Sequence, residues 1–173
     1  MSVTGPAFSG SRLGKWAARR VAQPFSPRLG DYEFLSPPFN AQQAVRNRKT
    51  GSRIPYRVRD KNDLAIANQM FAAEEYSIGG FRRAPDIRAH YDALLAAGKA
   101  PLILDCGGNI GLSALYLRDH YPKARIVAIE PDPANFSLMS ANVSLAGITP
   151  VHAAVASTSR RGRMKDAGTG GCG

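Results

Sequence analysis

Between residues 101 and 156 the apolar positions switch repeatedly between two periods. PLILDC (101–106) is an apolar run that stops at an acid and has the length of a buried strand. In NIGLSALYLRDHYP (109–122) helical spacing lets Ile110, Leu112 or Ser113, Leu117 and Tyr121 face a sheet. ARIVAIEPD (124–132) is a second strand, apolar up to Glu130. PANFSLMSANVSLAG (133–147) is a second helix, with Pro133 suited to its first turn and Gly147 after its end. ITPVHAAVA (148–156) is a third strand. This alternation, with strands apolar on both faces, predicts an α/β fold: a parallel sheet covered by helices and joined by right-handed crossovers.

Upstream the pattern is weaker. RIPYRVRD (53–60) alternates apolar and basic residues and predicts a short edge strand. DLAIANQMFAAEEYS (63–77) predicts a helix, with Leu64, Ala67, Met70, Phe71 and Glu74/Glu75 at helical spacing, Asp63 near its start and the glycines of GGF (79–81) ending it. APDIRAHYDALLAAG (84–98) predicts another, with an apolar stripe of Ile87, Tyr91, Leu94 and Leu95 closed by Gly98. In residues 1–50 only KWAARRVAQPF could coil, and Pro24 and Pro27 stop it. The expected organisation is a basic, flexible arm over 1–52, a strand and helical lead-in over 53–100, a β–α–β–α–β half over 101–156, and a disordered, basic, Gly-rich tail over 157–173.

Charge changes little in this picture. The net charge of +10 over 173 residues suggests an anionic partner, but its distribution argues against one. Residues 1–61 hold twelve Arg/Lys against three acids, 62–156 hold seven against nine, and 157–173 hold four against one. The basicity belongs to the ends, where a solvated arm accounts for it. A nucleic-acid interaction module is the alternative. It lacks the aromatic interleaving of a single-strand binder and would face an acidic cleft, so nucleic acid is not the expected partner. Cys106, at the end of an apolar run, is expected to be a buried free thiol, and Cys172 lies in the tail. Two such cysteines and no secretory-type leader point to a reducing, cytoplasmic setting. No apolar run approaches the length of a membrane span, and no His/Cys spacing suggests a metal site. His90 and His120 are expected at the surface; His152 lies within the third strand.

The candidate chemistry lies in DCGGNIG (105–111), at the carboxyl edge of the predicted sheet, where open parallel sheets bind ligands. Gly107 and Gly108 let backbone approach a ligand where a Cβ would intrude, and Gly111 permits close packing at the helix start. A helix beginning near Asn109 or Ile110 would turn unpaired N–H groups toward the same space. Asp105 ends one strand and Glu130 the next, and Glu130 is placed to accept both hydroxyls of a ribose. The bland readings are that Asp105 caps a turn, that Glu130 is a solvated acid, and that Asn109 only holds a left-handed turn. A dinucleotide-binding oxidoreductase is a further alternative, but GxGxxG fails in either frame, and so does a P-loop, which needs GK[ST]. Asp105 and Asp132 are poor company for a pyrophosphate. A ribose ligand with a cationic end, such as S-adenosyl-L-methionine, fits better.

ILDCGGNIGLSALYL followed by AIEPDPANFSLMSANV resembles the FkbM-type S-adenosylmethionine-dependent methyltransferases. Asp105, Gly107, Asn109 and Gly111 stand in that family's acid-x-Gly-x-Asn-x-Gly turn, and Glu130, Pro131 and Pro133 in its Glu-Pro-x-Pro. Phe136, Met139 and Asn142 look like its following helix, and DLAIANQMFAAEEY like the helix that precedes its nucleotide fold. The likeness covers roughly 63–156. It implies a Rossmann-like class I methyltransferase fold with a seven-stranded sheet, and methyl transfer to a hydroxyl of a sugar or other secondary metabolite. By that resemblance Asp105 and Gly107 lie near the amino-acid end of the cofactor, Gly111 supports the turn, and Glu130 binds the ribose. Pro131 shapes the chain leaving the strand, Asp132 lines the adenine side, and Glu74, Glu75 and Tyr76 lie near the cleft.

Seven strands are more than the pattern supplies. The expectation is an incomplete sheet, the N-terminal half only, with a naked edge on the PLILDC strand. The region that would carry a catalytic base is then missing, no such base is identified, and the chain alone is expected to be of doubtful activity.

Overall fold

Two three-stranded sheets flank a short helical lead-in in the computed structural model, which describes residues 30–37 and 40–158. The first sheet is antiparallel, in the order β1 (Tyr32–Phe34), β2 (Gln42–Asn47), β3 (Arg53–Arg57). Its hairpin is built by the side chain of Asn47, whose Oδ1 accepts from the N–H groups of Lys49 (2.8 Å) and Thr50 (3.3 Å), and by Gly51 at φ +76°. In β3 strict alternation puts Ile54 and Tyr56 inward and Arg53, Pro55 and Arg57 outward. The RIPYRVRD run is thus a strand at a sheet edge. The arm expected to be flexible over 1–52 is corrected in part: β1 and β2 fall inside it. Residues 1–29 and the Gly-rich tail from 159 onward lie outside the described residues.

The lead-in differs from the single helix expected over 63–77. Helix α1 (Lys61–Ala67) starts two residues earlier, where the Asp60 carboxylate accepts from the N–H groups of Asn62 and Asp63. It then widens into a π-helical turn, Asn68–Ala72, that presents the adjacent Met70 and Phe71 to the core. Glu74, at φ +47°, ends this segment ahead of the glycines at 79–80. Helix α2 (Ala84–Ala96) follows as the spacing predicts, although Ile87 of its stripe is exposed.

The second sheet is parallel, in the order β4 (Leu102–Cys106), β5 (Arg125–Glu130), β6 (Ile148–His152), with crossover helices α3 (Leu112–His120) and α4 (Pro133–Val143). A mixed α/β chain with such a sheet is compatible with a Rossmann-like methyltransferase. Successive right-handed crossovers that step one way along a sheet place their helices on the same face. Ile103, Ile126 and Ile148, paired across the strands, share the face on which the helices pack, while Leu102 and Leu104 on the other face are 58% and 57% exposed. The expectation of strands apolar and buried on both faces is corrected for β4, and so is that of a buried Cys106, whose thiol is exposed. Among the described residues β4 has a strand on one side only, and no helix is long and apolar enough to cross a membrane.

Aromatic packing joins the two sheets. Tyr32 of β1 meets Phe71 edge-on at 5.1 Å between ring centroids and Tyr116 of α3 at 5.7 Å, and Phe71 also meets Tyr56 of β3 at 5.7 Å. At the rim of this cluster the Asp119 carboxylate, at the end of α3, accepts from Tyr32 Oη (2.7 Å), Asn47 Nδ2 (2.5 Å) and Ser52 Oγ. Three donors, from β1, from β2 and from the turn between β2 and β3, therefore converge on one acid. Asp119→Ala, which strands all three, is expected to lower unfolding free energy by roughly 2–4 kcal/mol, read as a lower urea midpoint at unchanged slope.

Candidate functional site

The glycine turn hangs from the end of β5. The N–H groups of Gly107 and Gly108 both donate to the carbonyl of Ile129 at 2.9 Å, and that of Asn109 donates to Glu130 Oε2 at 2.8 Å. Gly107 and Gly111 both stand at φ +88° and Asn109 at +48°, so the chain reverses hand here three times. That strain explains why α3 begins at Leu112, later than the Asn109 or Ile110 expected from spacing. The glycines divide their work. A Cβ on Gly107 would meet nothing within 4 Å, so its backbone faces open space. On Gly108 a Cβ would lie 2.8 Å from Met139 Sδ, and on Gly111 3.0 Å from Val143 Cγ1 and 3.1 Å from Met139 Cγ. Gly108 is therefore held to a glycine by close packing against α4. Gly111 answers to the same helix.

The two acids close the site from below. Asp105 is 7% exposed, and its Oδ2 accepts from Ser113 Oγ of α3 at 2.6 Å. Burial holds its carboxyl above the usual value of 3.8, the charge of Glu130 adds to this, and the Ser113 hydroxyl works against it. Glu130 is 6% exposed; besides the Asn109 contact, its Oε1 accepts from Asp132 N at 2.9 Å. A carboxylate offers about four lone-pair positions, and these two bonds use one on each oxygen. Asp132 is the N-cap of α4, its Oδ1 accepting from Asn135 N at 2.8 Å, and Pro133 fills the first helical position.

Several neighbours were not singled out by pattern. His152, at the end of β6 and paired in register with Glu130, stacks on Phe136 at 4.7 Å and brings Nε2 to 3.1 Å from the Pro131 carbonyl. Arg59 donates to both oxygens of the buried Asp63 and, through Nη2, to Asn135 Oδ1 at 2.7 Å, which brings it to the start of α4. His152 was open to discovery from its place at the same sheet edge as Glu130, whereas Arg59 carried no local signal. Of the three lead-in residues expected near the cleft, Glu74 turns to the first sheet, Oε1 accepting from Asp31 N at 2.5 Å. Glu75 and Tyr76 are exposed on the following loop. Among the described residues no three His, Cys, Asp or Glu side chains form a metal-sized cluster.

The chain is similar over a short segment to two fungal proteins. "Methyltransferase 1" of Beauveria bassiana (strain ARSEF 2860) is 45% identical over 51 residues, which are 30% of this chain and 20% of that protein. "Methyltransferase sdnD" of Sordaria araneosa is 47% identical over 45 residues, 26% of this chain and 17% of that protein. Both relatives are named as methyltransferases. The likeness is thus to a short part of each of two proteins that carry that name. The chain's match spans about a fifth of the length of these relatives. No family model and no solved structure matches.

Two changes test the geometry directly. Gly111→Ala should cost roughly 2–4 kcal/mol, from the left-handed backbone and the crowding against Val143 and Met139 together, measured by urea unfolding. The second is a pH test. The folded chain holds the Asp105 proton more tightly than the unfolded chain does. That stabilisation is complete below pH 3.8 and is lost as pH rises through the raised value. Asp105→Asn, uncharged throughout, should therefore raise Tm at pH 7, with the difference from the parent chain shrinking as pH falls toward 3.8.

Proposed function

We propose that residues 101–156 carry the cofactor site of an S-adenosyl-L-methionine-dependent O-methyltransferase of the FkbM type, acting on a hydroxyl of a sugar or other secondary metabolite. The observation that carries this reading is Glu130. Its carboxylate is buried at the strand end, fixed by the N–H groups of Asn109 and Asp132, and retains lone pairs for a vicinal diol. The open space above Gly107 suits a ligand lying along the turn. Asp105 and Glu130 together make the cleft negative, which favours a ligand with a cationic end.

When bound, S-adenosyl-L-methionine supplies an electrophilic methyl group on a sulfonium. The chain's own part is positional. Glu130 accepts from the ribose hydroxyls, Gly107 admits the amino-acid end against bare backbone, and Asp105 holds the first turn of α3 through Ser113. Pro131 and the Asp132 cap direct the chain away from the cleft, so that Phe136 and His152 stand beside it. The site residues expected from the sequence, Asp105, Gly107, Gly108, Asn109, Gly111, Glu130, Pro131 and Asp132, are thus assigned to one ligand. Gly108 and Gly111 act through packing.

The test is an amide NMR titration of the chain with S-adenosylhomocysteine at two salt concentrations. Saturable shifts at 105–111 and 130–132 that do not weaken with salt are expected. Glu130→Ala should weaken binding by about 10- to 100-fold, the worth of hydrogen bonds to a charged group. A dispersed spectrum that ignores the ligand would sink the reading, whereas binding to duplex DNA with a steep salt slope would move it to the basic ends.

A further inference from the structure

One side chain touches both the first sheet and the glycine turn. Asn142, on α4, is 8% exposed. Its Oδ1 accepts from Arg57 N at 2.7 Å, and its Nδ2 donates to Arg57 O at 3.1 Å and to Ile110 O at 2.8 Å. The oxygen and both N–H bonds of the amide are therefore in use, and their partners, one donor and two carbonyls, fix which way the amide points. Arg57 closes β3, whose other edge pairs with β2. Asn142 thus supplies to the outer edge of β3 the donor and acceptor that another strand would have supplied. The remaining N–H reaches the carbonyl of the residue between Asn109 and Gly111.

From this bridge we infer that Asn142 is the positioning residue of the cofactor turn, coupling the antiparallel sheet to the conformation of residues 107–111. The inference rests on the cofactor reading above and adds a control to it. The turn is held on one side by β5, through Ile129 and Glu130. On the other side α4 presses on it with Met139 and Val143, and Asn142 ties it to that helix. Without the amide, the Ile110 carbonyl and both polar groups of Arg57 lose their partner together, and the turn loses its link to β3. Anything that displaces β3 then moves independently of the cleft. In the intact chain β3 and the turn shift as one body, so a ligand ordering the turn also orders the edge of the first sheet.

The experiment compares the chain with Asn142→Ala and Asn142→Asp by residue-resolved amide hydrogen exchange and by S-adenosylhomocysteine titration. Asp keeps an acceptor for Arg57 N but turns an oxygen toward two carbonyls, so it should be no better than Ala. Expected in both is faster exchange at Arg57 and at Gly107, Gly108 and Asn109, with binding weakened about tenfold. Asp119→Ala, compared at matched overall stability, should leave the turn amides as they are, which separates positioning from general loosening. Faster exchange at Arg57 alone, with turn amides and affinity within about twofold of the parent, would overturn the inference and leave Asn142 as an edge cap. Should neither variant fold, the parent chain decides. Its Asn142 side-chain NH2 signals should exchange slowly and shift when ligand saturates; rapid solvent exchange would overturn the coupling. If the parent ignores S-adenosylhomocysteine, the cofactor reading falls, and the exchange pattern still decides whether Asn142 positions the turn.

Discussion

Three consecutive N–H groups, of Gly107, Gly108 and Asn109, converge on the end of a single neighbouring strand, and the rest of the site depends on that convergence. Two of them share the carbonyl of Ile129, and the third takes a carboxylate oxygen of Glu130. A backbone that presents successive N–H groups to one side must alternate its hand, which is why left-handed conformations recur at 107, 109 and 111. Once the turn is so fixed, the start of α3, the burial of Asp105 beneath it and the side-chain orientation of Glu130 all follow. Glu130 anchors the loop on both sides, through the N–H groups of Asn109 and Asp132, so the turn holds its shape through bonds within the chain.

The antiparallel sheet is attached to this half at two points. Near one, Asp119 gathers Tyr32, Asn47 and Ser52; at the other, Asn142 pairs with the outer edge of β3. Tyr32, Tyr56, Phe71 and Tyr116 provide the apolar contact between the sheets. The π-helical turn belongs to this arrangement, because its wider backbone brings Met70 and Phe71 to the same core while Glu74 swings back to meet Asp31.

What could be read from the sequence was whatever depends on near neighbours. The order of strands and helices over 101–156 was visible because strand length, helical spacing, Pro133 and the glycines act within a few residues of themselves. The acids at strand ends were visible for the same reason. The strands of residues 32–47 were hidden because Gln43 is buried where alternation demands an apolar residue, and is satisfied only by the carbonyls of Pro37 and Asn40. Exposure of Cys106 could not be seen in an apolar run, since it follows from which face the crossovers cover. The bonds from Arg59 to Asn135, from Asn142 to Arg57, and from Asp119 to Tyr32, Asn47 and Ser52 join residues 67 to 87 positions apart, and no local period records such pairs.

Those long separations bear on the order in which the molecule assembles. The β2–β3 hairpin and the parallel unit each close over short stretches of chain. The bonds from Tyr32 to Asp119 and from Arg57 to Asn142 must instead close loops of 87 and 85 residues. Loop-closure entropy delays such contacts until the pieces they join are already formed. By that ordering the glycine turn can form with its own strand early and yet reach its final rigidity only at the last step of folding, when the two sheets dock. The same junction is then the natural place for the native protein to open first.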